Sequence, residues 1–570
     1  MPIILVATVQ GLLLYGLHYA WEPRAWPVTD PYWLIPLYPV AILVPITLEI
    51  LNGYIRRIEV WFAAAAFVLL AFGLGAYTVW SDKPNIYPHP FSLVTYYISF
   101  FLIWFIALPF VQSWLRRRDW KFPYTDLFEF SHLNPLLAIE STAFTVVFWG
   151  LLWLWAALFS VVGISFFADL FRKPAFIYLA SALTFGYATF LIQSRESIVI
   201  TLRRHILGVF SWLFPLAALI AAMFLVVLPA TGLAPLWKTG YATFLMLCLQ
   251  GLFIHFLNAA YEDGEKPPAY PAWLRMALRI AVFTLPIYAA LCIYSLGLRV
   301  EQHGWSVQRI WAAVITLIAA LYGLGYAFAA TRRSSWMNTM APINVWMSWS
   351  VAALLLLLCS PLLDPKRLAL DSQLALLSSG KVIPLKFDYE YLRTDLGRFG
   401  NAALSELSKN SNPETAKLAS QALERGDAAR TAAKPASEPT SAADLRQRIK
   451  LYPPTATLDP SFLTYLEAAV KDRSYDHPAC LRIQREDCLM LLLDLNQDGR
   501  PEIISLGGYP QAVYSNVGGQ WQKVGDLVGH PMDRKSAEGL LRDSKIEARA
   551  SPWLELRVGD HEFFVQPSRR

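Results

Sequence analysis

The residues best placed to do chemistry form one short run. Asp494-Leu495-Asn496-Gln497-Asp498-Gly499-Arg500-Pro501-Glu502 sets oxygen-bearing side chains at loop positions one, three, five and nine, with glycine at six. Alternate spacing lets a tight turn wrap its side-chain oxygens around a hard cation, and calcium takes roughly six to eight such ligands. Asp494, Asn496, Asp498 and Glu502 are therefore candidate metal ligands through their side chains, Arg500 through its backbone carbonyl, and Ca2+ is the expected cofactor. Position twelve is Ser505, where a loop between two helices would carry a bidentate glutamate. The flanks Cys488–Leu493 and Ile503–Leu506 read as strands. The plainer alternative is an Asx-rich turn that holds no metal.

Two cysteines stand close by. Cys480 and Cys488 bracket residues 481–487, while Cys248, Cys292 and Cys359 fall in apolar stretches, where a thiol serves as a small hydrophobe. In an oxidising compartment the pair is expected to close a disulfide; the alternative is two free thiols. A second polar cluster, Arg299, Glu301, His303 and Arg309, is a possible outer-loop site, although charged loops are more often simply solvated. The sequence contains no nucleophile elbow, HExxH, Walker loop or CxxC pair, so no catalytic residue is assigned and the reading leans away from an enzyme.

What must position these residues is a chain with a break at about Pro361. Upstream of it, apolar stretches run over about 2–20, 33–51, 60–80, 93–115, 136–162, 177–194, 206–229, 239–258, 276–297, 310–330 and 342–361. Each approaches the roughly twenty residues that cross a bilayer as a helix, giving about eleven spans. An apolar content of 55% and a mean hydropathy of +0.37 exclude disorder and ordinary solubility for this part. Ile3 to Ala20 lacks a basic n-region and a small-residue cleavage site, so it reads as the first span. Trp and Tyr gather near segment ends, as at Tyr19, Trp21, Tyr32, Trp33, Tyr77 and Trp80, where amphipathic rings settle at headgroups.

The net charge of +6 does not indicate nucleic acid, because the basic residues lie mainly in short loops between spans. Arg56-Arg57, Arg116-Arg117-Arg118, Arg195 with Arg203 and Arg204, Arg275 with Arg279, and Arg332-Arg333 all fall on one side. The positive-inside rule makes that side cytoplasmic. With an odd number of spans the N-terminus is inside and the C-terminal part outside, in the periplasm of a bacterium whose inner membrane holds the rest. Ionisable groups are scarce within the spans. Glu49, Glu140, His18 and His255 each lie near a predicted end and are expected to snorkel to the interface. Prolines interrupt several spans, which packing alone tolerates.

The remaining chain divides by pattern. Residues 1–361 form a transmembrane helical domain, 362–426 a helical post-membrane periplasmic segment with leucine stripes, and 427–443 a linker rich in Ala, Pro, Ser, Thr and Glu. Residues 444–570 read as a small α+β periplasmic module: leading helices near 459–472, then an antiparallel sheet. Ala512–Asn516 and Gln520–Val524 flank Gly518-Gly519, and 553–558 and 561–565 flank Gly559-Asp560, two hairpin signals. The fold class is a polytopic α-helical membrane protein followed by this soluble domain.

Three ordered stretches resemble a known family. They are Gln10-Gly11-Leu12-Leu13-Leu14-Tyr15 with Trp26-Pro27; Tyr294-Ser295-Leu296-Gly297-Leu298-Arg299, then His303-Gly304-Trp305-Ser306 and Arg309; and Phe387-Asp388 with Leu396-Gly397-Arg398-Phe399-Gly400 and Ala403-Leu404. Over about residues 1–410 the chain resembles the bacterial inner-membrane family catalogued as domain of unknown function 4153. The resemblance implies a many-helix inner-membrane protein and carries over no activity and no catalytic residues. The 494–502 loop is similar to the calcium loops of FG-GAP-type repeats, here in a single copy. Three function classes follow. The first is a non-enzymatic envelope scaffold that presents a calcium-stabilised module to a periplasmic or membrane protein partner. The second is a transporter or channel for a neutral or lipid-like substrate, and the third a membrane enzyme acting at the periplasmic face. Transporter and scaffold differ in that a transporter needs a cavity among its helices.

Overall fold

The computed structural model describes residues 2–21, 25–84, 88–233, 241–264, 270–332, 336–433, 442–471, 478, 481, 488–506, 511–527, 556–558 and 561–563. The chain separates into two compact units, Met1–Glu424 and Arg425–Arg570.

In the first unit every expected apolar stretch forms a helix. These are α1 (Pro2–Tyr19), α2 (Pro31–Ile50), α3 (Ile58–Ser81), α4 (Pro90–Arg117), α5 (Tyr124–Val161), α7 (Pro174–Gln193), α8 (Glu196–Thr231), α9 (Ala242–Tyr261), α10 (Ala272–Ala281) continued by α11 (Thr284–His303), α12 (Val307–Thr331) and α13 (Trp336–Leu358), with a short α6 (Phe166–Arg172) between α5 and α7. Among the described residues eleven spans are long and apolar enough to cross a membrane. Their outward faces carry large apolar side chains that the protein leaves uncovered, such as Leu69, Trp212 and Val226. That is the surface a bilayer would solvate.

The helix ends depart from the periodicity where polar residues continue a helix beyond its apolar core. The fifth helix starts at Tyr124, not near 136, because Asp126 and Glu129 are held there by arginines: Arg117 bonds Asp126 at 2.5 Å and Arg116 bonds Glu129 at 2.7 Å. The ninth span is broken. Pro286 has no N–H for the Val282 carbonyl, so Leu285 takes it at 3.1 Å in a tighter turn, and α12 crosses at Gly323, where a Cβ would meet the Leu285 carbonyl carbon and Pro286 nitrogen at 3.2 Å. In α2, Pro36 and Pro39 leave carbonyls unbonded within the helix, and the freed Ile35 carbonyl accepts from the Tyr97 hydroxyl at 3.2 Å.

Beyond α13 come α14 (Pro365–Ser378), α15 (Tyr389–Thr394), α16 (Gly397–Leu407) and α17 (Pro413–Ala433). They share a core of Ala369, Phe387, Leu392, Leu396, Leu404 and Ala419 with Val307 and Ile310 of α12, so this segment caps one end of the helical bundle. α17 runs to Ala433, over the first residues of the stretch 427–443 expected as a linker, because the Ala-rich 427–433 has high helix propensity that outweighs its lack of apolar periodicity. Residues 434–441 lie outside the described residues.

The second unit holds α18 (Ala442–Gln447), α19 (Pro460–Lys471) and a five-stranded sheet β1 (Ile449–Tyr452), β2 (Cys488–Leu493), β3 (Glu502–Leu506), β4 (Gln511–Val517) and β5 (Gln520–Leu527), in that order. The expectation of a wholly antiparallel sheet is corrected. β1 pairs parallel with β2, because α19 lies between them in the chain as a crossover, while β2 to β5 are antiparallel. Phe462, Leu466, Met490, Ile503 and Tyr514 form the core between α19 and the sheet. A separate hairpin pairs β6 (Leu556–Val558) with β7 (His561–Phe563).

Candidate functional site

The sequence-predicted loop connects β2 to β3, with Leu493 paired to Glu502 at its base. Gln497 and Gly499 take left-handed backbone conformations (φ 60° and 84°), and these fold the loop back on itself. Asp494 accepts from the amides of Asp498 at 3.2 Å and Gly499 at 2.9 Å; Asn496 accepts from Asp498 at 2.9 Å; Asp498 accepts from Arg500 at 2.8 Å. Asp494, Asn496 and Asp498 thus meet on one turn, and an oxygen that accepts one amide keeps a lone pair for a cation. Glu502 is placed differently. It is buried on β3, accepting from the Leu495 amide at 2.8 Å and the Ser515 hydroxyl at 3.2 Å. Among the described residues, no group of three or more His, Cys, Asp or Glu stands together as a metal-holding set. The donors that fit calcium are those of Asp494, Asn496 and Asp498, with the Arg500 carbonyl next in the turn. Cys488 is buried in β2; Cys480 lies outside the described residues, as do 553–555 and 564–565 of the last hairpin signal.

The polar outer-loop residues serve a joint. Arg309 donates to the carbonyl of Gly304 at 2.8 Å, and Gln373 of α14 donates to that of Trp305 at 2.8 Å. Ser372 receives the Trp305 amide, Tyr391 receives the Val307 amide, and Lys381 donates to the Glu301 carbonyl. Gly304 (φ 68°) lies where a Cβ would press on Leu376 at 2.6 Å. His303 is exposed at the end of α11. So Glu301, His303 and Arg309 take part through main-chain groups and a clamp, and the post-membrane helices cover the loop. Arg299 sits a turn earlier on α11.

The same end is locked by a buried polar cluster that the periodicity did not point to. Lys366 donates to Asp82 at 2.7 Å and to Ser81 at 2.9 Å, Tyr77 donates to Asp364 at 2.6 Å, and burial pushes the Asp364 carboxyl up. Gly397 (φ 52°) and Gly400 of the Leu-Gly-Arg-Phe-Gly stretch are glycines by necessity. A Cβ at either would run into a carbonyl oxygen, of Ser81 and of Leu392 respectively. Between them Arg398 sits 4.3 Å over the Trp80 ring.

A further concave feature lies among the spans. A groove of about 710 Å³ is bounded by α4, α5, α8, α9, α12 and α13. Its lining is largely apolar, with Phe105, Phe110, Leu136, Ile139 and Phe210, and among these stand His132, Arg203, His255, Asn258, Tyr124 and Asn344. His132 is held by the Phe128 carbonyl at 2.9 Å, and His255 packs edge-on against Phe210 at 4.9 Å. Asn344 donates to Tyr124 at 2.9 Å and Asn258 at 2.8 Å, and Asn258 donates to Tyr326 at 2.8 Å, so a single amide network ties α5, α9, α12 and α13 behind the groove. His255 and Ile139 are exposed at its mouth, on the faces that carry the apolar surface. Local spacing could not have revealed the groove, because its residues come from six helices; of its lining the sequence had drawn attention to His255, as an ionisable group near a span end.

Expected snorkelling is corrected for Glu49. It is fully buried, packed against Ala7 and Gly186, because α1 and α7 close over it instead of leaving a path to the interface. No family model, no curated protein and no solved structure matches this chain.

Proposed function

We propose that this protein is a bacterial inner-membrane protein that binds and moves a lipid-like amphiphile through its helical groove. The observation that carries the reading is the composition of that groove: a largely apolar lining, suited to acyl chain, that also carries Arg203, His132 and His255 for a head group. Its mouth lies at exposed in-span residues, so a molecule dissolved in the bilayer reaches it sideways. A cavity among helices is what separates a transporter from a packed scaffold, and it moves our preference to the former. The resemblance to the domain of unknown function 4153 family is consistent with this reading and adds no activity to it.

The test is purification in mild detergent, then solvent extraction and mass spectrometry of the lipid that remains bound. We expect one class of lipid to be retained near stoichiometry, and about tenfold less of it in Arg203→Ala and Ile139→Trp, a loss of about 1.4 kcal/mol. Retention that is equal in all three proteins, or no bound lipid in the wild type, overturns the reading.

We further infer that the second unit is periplasmic, that Cys480 and Cys488 form a disulfide there, and that calcium seats in the 494–502 turn and steadies a surface for a periplasmic or membrane protein partner. The three convergent Asx side chains support this.

A further inference from the structure

The groove leaves unused the most unusual ionisable group in the molecule. Glu49, in the last turn of α2, is 0% exposed, and neither of its carboxylate oxygens has a hydrogen-bond partner. Its cradle is built from missing side-chain volume. A Cβ on Gly186 of α7 would stand 2.8 Å from Oε1 of Glu49 and 2.8 Å from Cβ of Ala7 on α1. One turn further along α1, a Cβ on Gly11 would stand 3.0 Å from the Leu179 Cα of α7, so the glycine permits a close approach of the two helices above the acid.

An ionised carboxylate in such a place lacks both a counter-ion and a donor, which costs several kcal/mol. The neighbours supply neither. Glu49 is the only charged residue in α2; α7 carries no charge and only the phenols Tyr178 and Tyr187, and the titratable side chains of α1, Tyr15, His18 and Tyr19, lie two or more turns beyond Ala7, His18 against the Tyr178 ring. On α3 and α4 the charges are committed elsewhere: Glu59 pairs with Arg118 at 2.6 Å, Arg116 with Glu129 at 2.7 Å, and Arg117 with Asp126. Arg57 donates to the Leu115 carbonyl at 2.8 Å.

A polar pocket nevertheless opens at the same end of α2 as the acid. A pocket of about 540 Å³ opens among Asn52, Arg116, Glu129 and Gln193, at the arginine-rich end of the bundle. Its wall includes Ile50, the residue after Glu49, and Gln193, whose amide donates to the carbonyls of Glu49 at 3.1 Å and Ile50 at 3.2 Å. On α7, Gly186 at the carboxyl and Gln193 at the pocket are seven residues apart, about 10 Å of helix.

We propose that Glu49 is a proton-binding site of the membrane unit, loaded from this pocket. The step is a simple exchange: the carboxylate takes a proton from hydronium in the pocket, giving the acid and water, and returns it by the reverse route. Uncharged, the carboxyl lets α1 and α7 close; charged, it requires a donor or water in the cradle and opens the α1–α7 contact. The inference stands on Glu49 alone and does not depend on what occupies the groove.

The test uses the full chain in lipid nanodiscs. Dicyclohexylcarbodiimide, an apolar reagent that consumes protonated carboxyls, is expected to label the peptide carrying Glu49, with labelling falling at least tenfold as the pH is raised. The infrared C=O band of a buried acid is expected in the wild type, shifted in D2O and absent in Glu49→Gln. Labelling that does not change with pH, or a band that never exchanges in D2O, makes Glu49 a sealed structural acid and overturns the proposal. Reaction only with a water-soluble carbodiimide and an added amine overturns it too, by showing an exposed carboxylate. If Glu49→Gln does not fold, the pH dependence of wild-type labelling and its D2O exchange still decide.

Discussion

Single residues explain why the post-membrane helices stay on the bundle. The Asp82–Lys366 pair is almost wholly buried, and a buried pair that loses one partner strands the other charge. Lys366→Met should therefore lower stability by about 3–5 kcal/mol, whereas Asp82→Leu with Lys366→Met should cost clearly less than either single change. Thermal unfolding in detergent, followed by tryptophan emission, reads both. Gly400→Ala should cost about 2 kcal/mol or more by the same measurement, because the methyl group on α16 meets the Leu392 carbonyl oxygen of α15. Tyr391 adds a dependence on pH. Burial pushes its phenol up to about 12, from an ordinary value of about 10. The folded state thus holds the proton more tightly than the unfolded chain does, so the stabilisation is complete below about pH 10 and is lost as the pH rises through about 12. Tyr391→Phe should lose the bond from the Val307 amide, about 1 kcal/mol, and show a flatter stability curve across that window.

At the scale of elements, legibility followed locality. An apolar run of a bilayer's thickness declares its own helix, and Gly518-Gly519 between alternating residues declares the β4–β5 turn. Interruptions that depend on a partner were not readable in this way. The break between α10 and α11 is set by Pro286 together with the α12 crossing at Gly323, and the parallel β1–β2 pair by a crossover whose strands are far apart in sequence. The metal loop lies between these cases. Its spacing is local, and the turn does bring Asp494, Asn496 and Asp498 together, but Glu502 is turned inward by Ser515, a residue of the next strand. The calcium proposal therefore makes an asymmetric prediction for the full-length protein. Calcium should raise the unfolding midpoint of the second unit, by about 1.4 kcal/mol at ten times the dissociation constant. Asp494→Ala should abolish the rise, and Glu502→Gln should lower basal stability while leaving a calcium response. No response in the wild type at millimolar calcium would leave the loop as an Asx turn.

At the scale of the whole molecule, the decisive property is which ends of the helices share a side. Contacts within the first unit already group the arginine loops. Arg57 reaches the Leu115 carbonyl, Arg118 pairs with Glu59, and one pocket joins Asn52, Arg116 and Ser194, so the turns after α2, α4 and α7 meet at a single end. At that end Arg279 also bonds the Ala330 carbonyl, which places the start of the broken span beside the end of α12. The cap helices α14 to α16 belong to the other end, with Ser81, Asp82 and Trp305. The orientation we propose rests on the resistance of Lys and Arg to translocation: the arginine end in the cytoplasm and the cap outward. Among the described residues the unit offers eleven candidate spans, an odd number, which under that proposed orientation puts the two ends of the unit on opposite sides. A reporter enzyme active only after export, fused after Arg570, should then be active, while the same reporter in the 332–335 loop should be silent. A fluorescent protein that matures only in the cytoplasm should give the opposite pair. A cytoplasmic reading after Arg570 would remove the oxidising compartment that the Cys480–Cys488 bond requires and the millimolar calcium that a weak loop needs, and with them the case for an envelope partner. The groove and Glu49 would be untouched, because both are built wholly within the first unit.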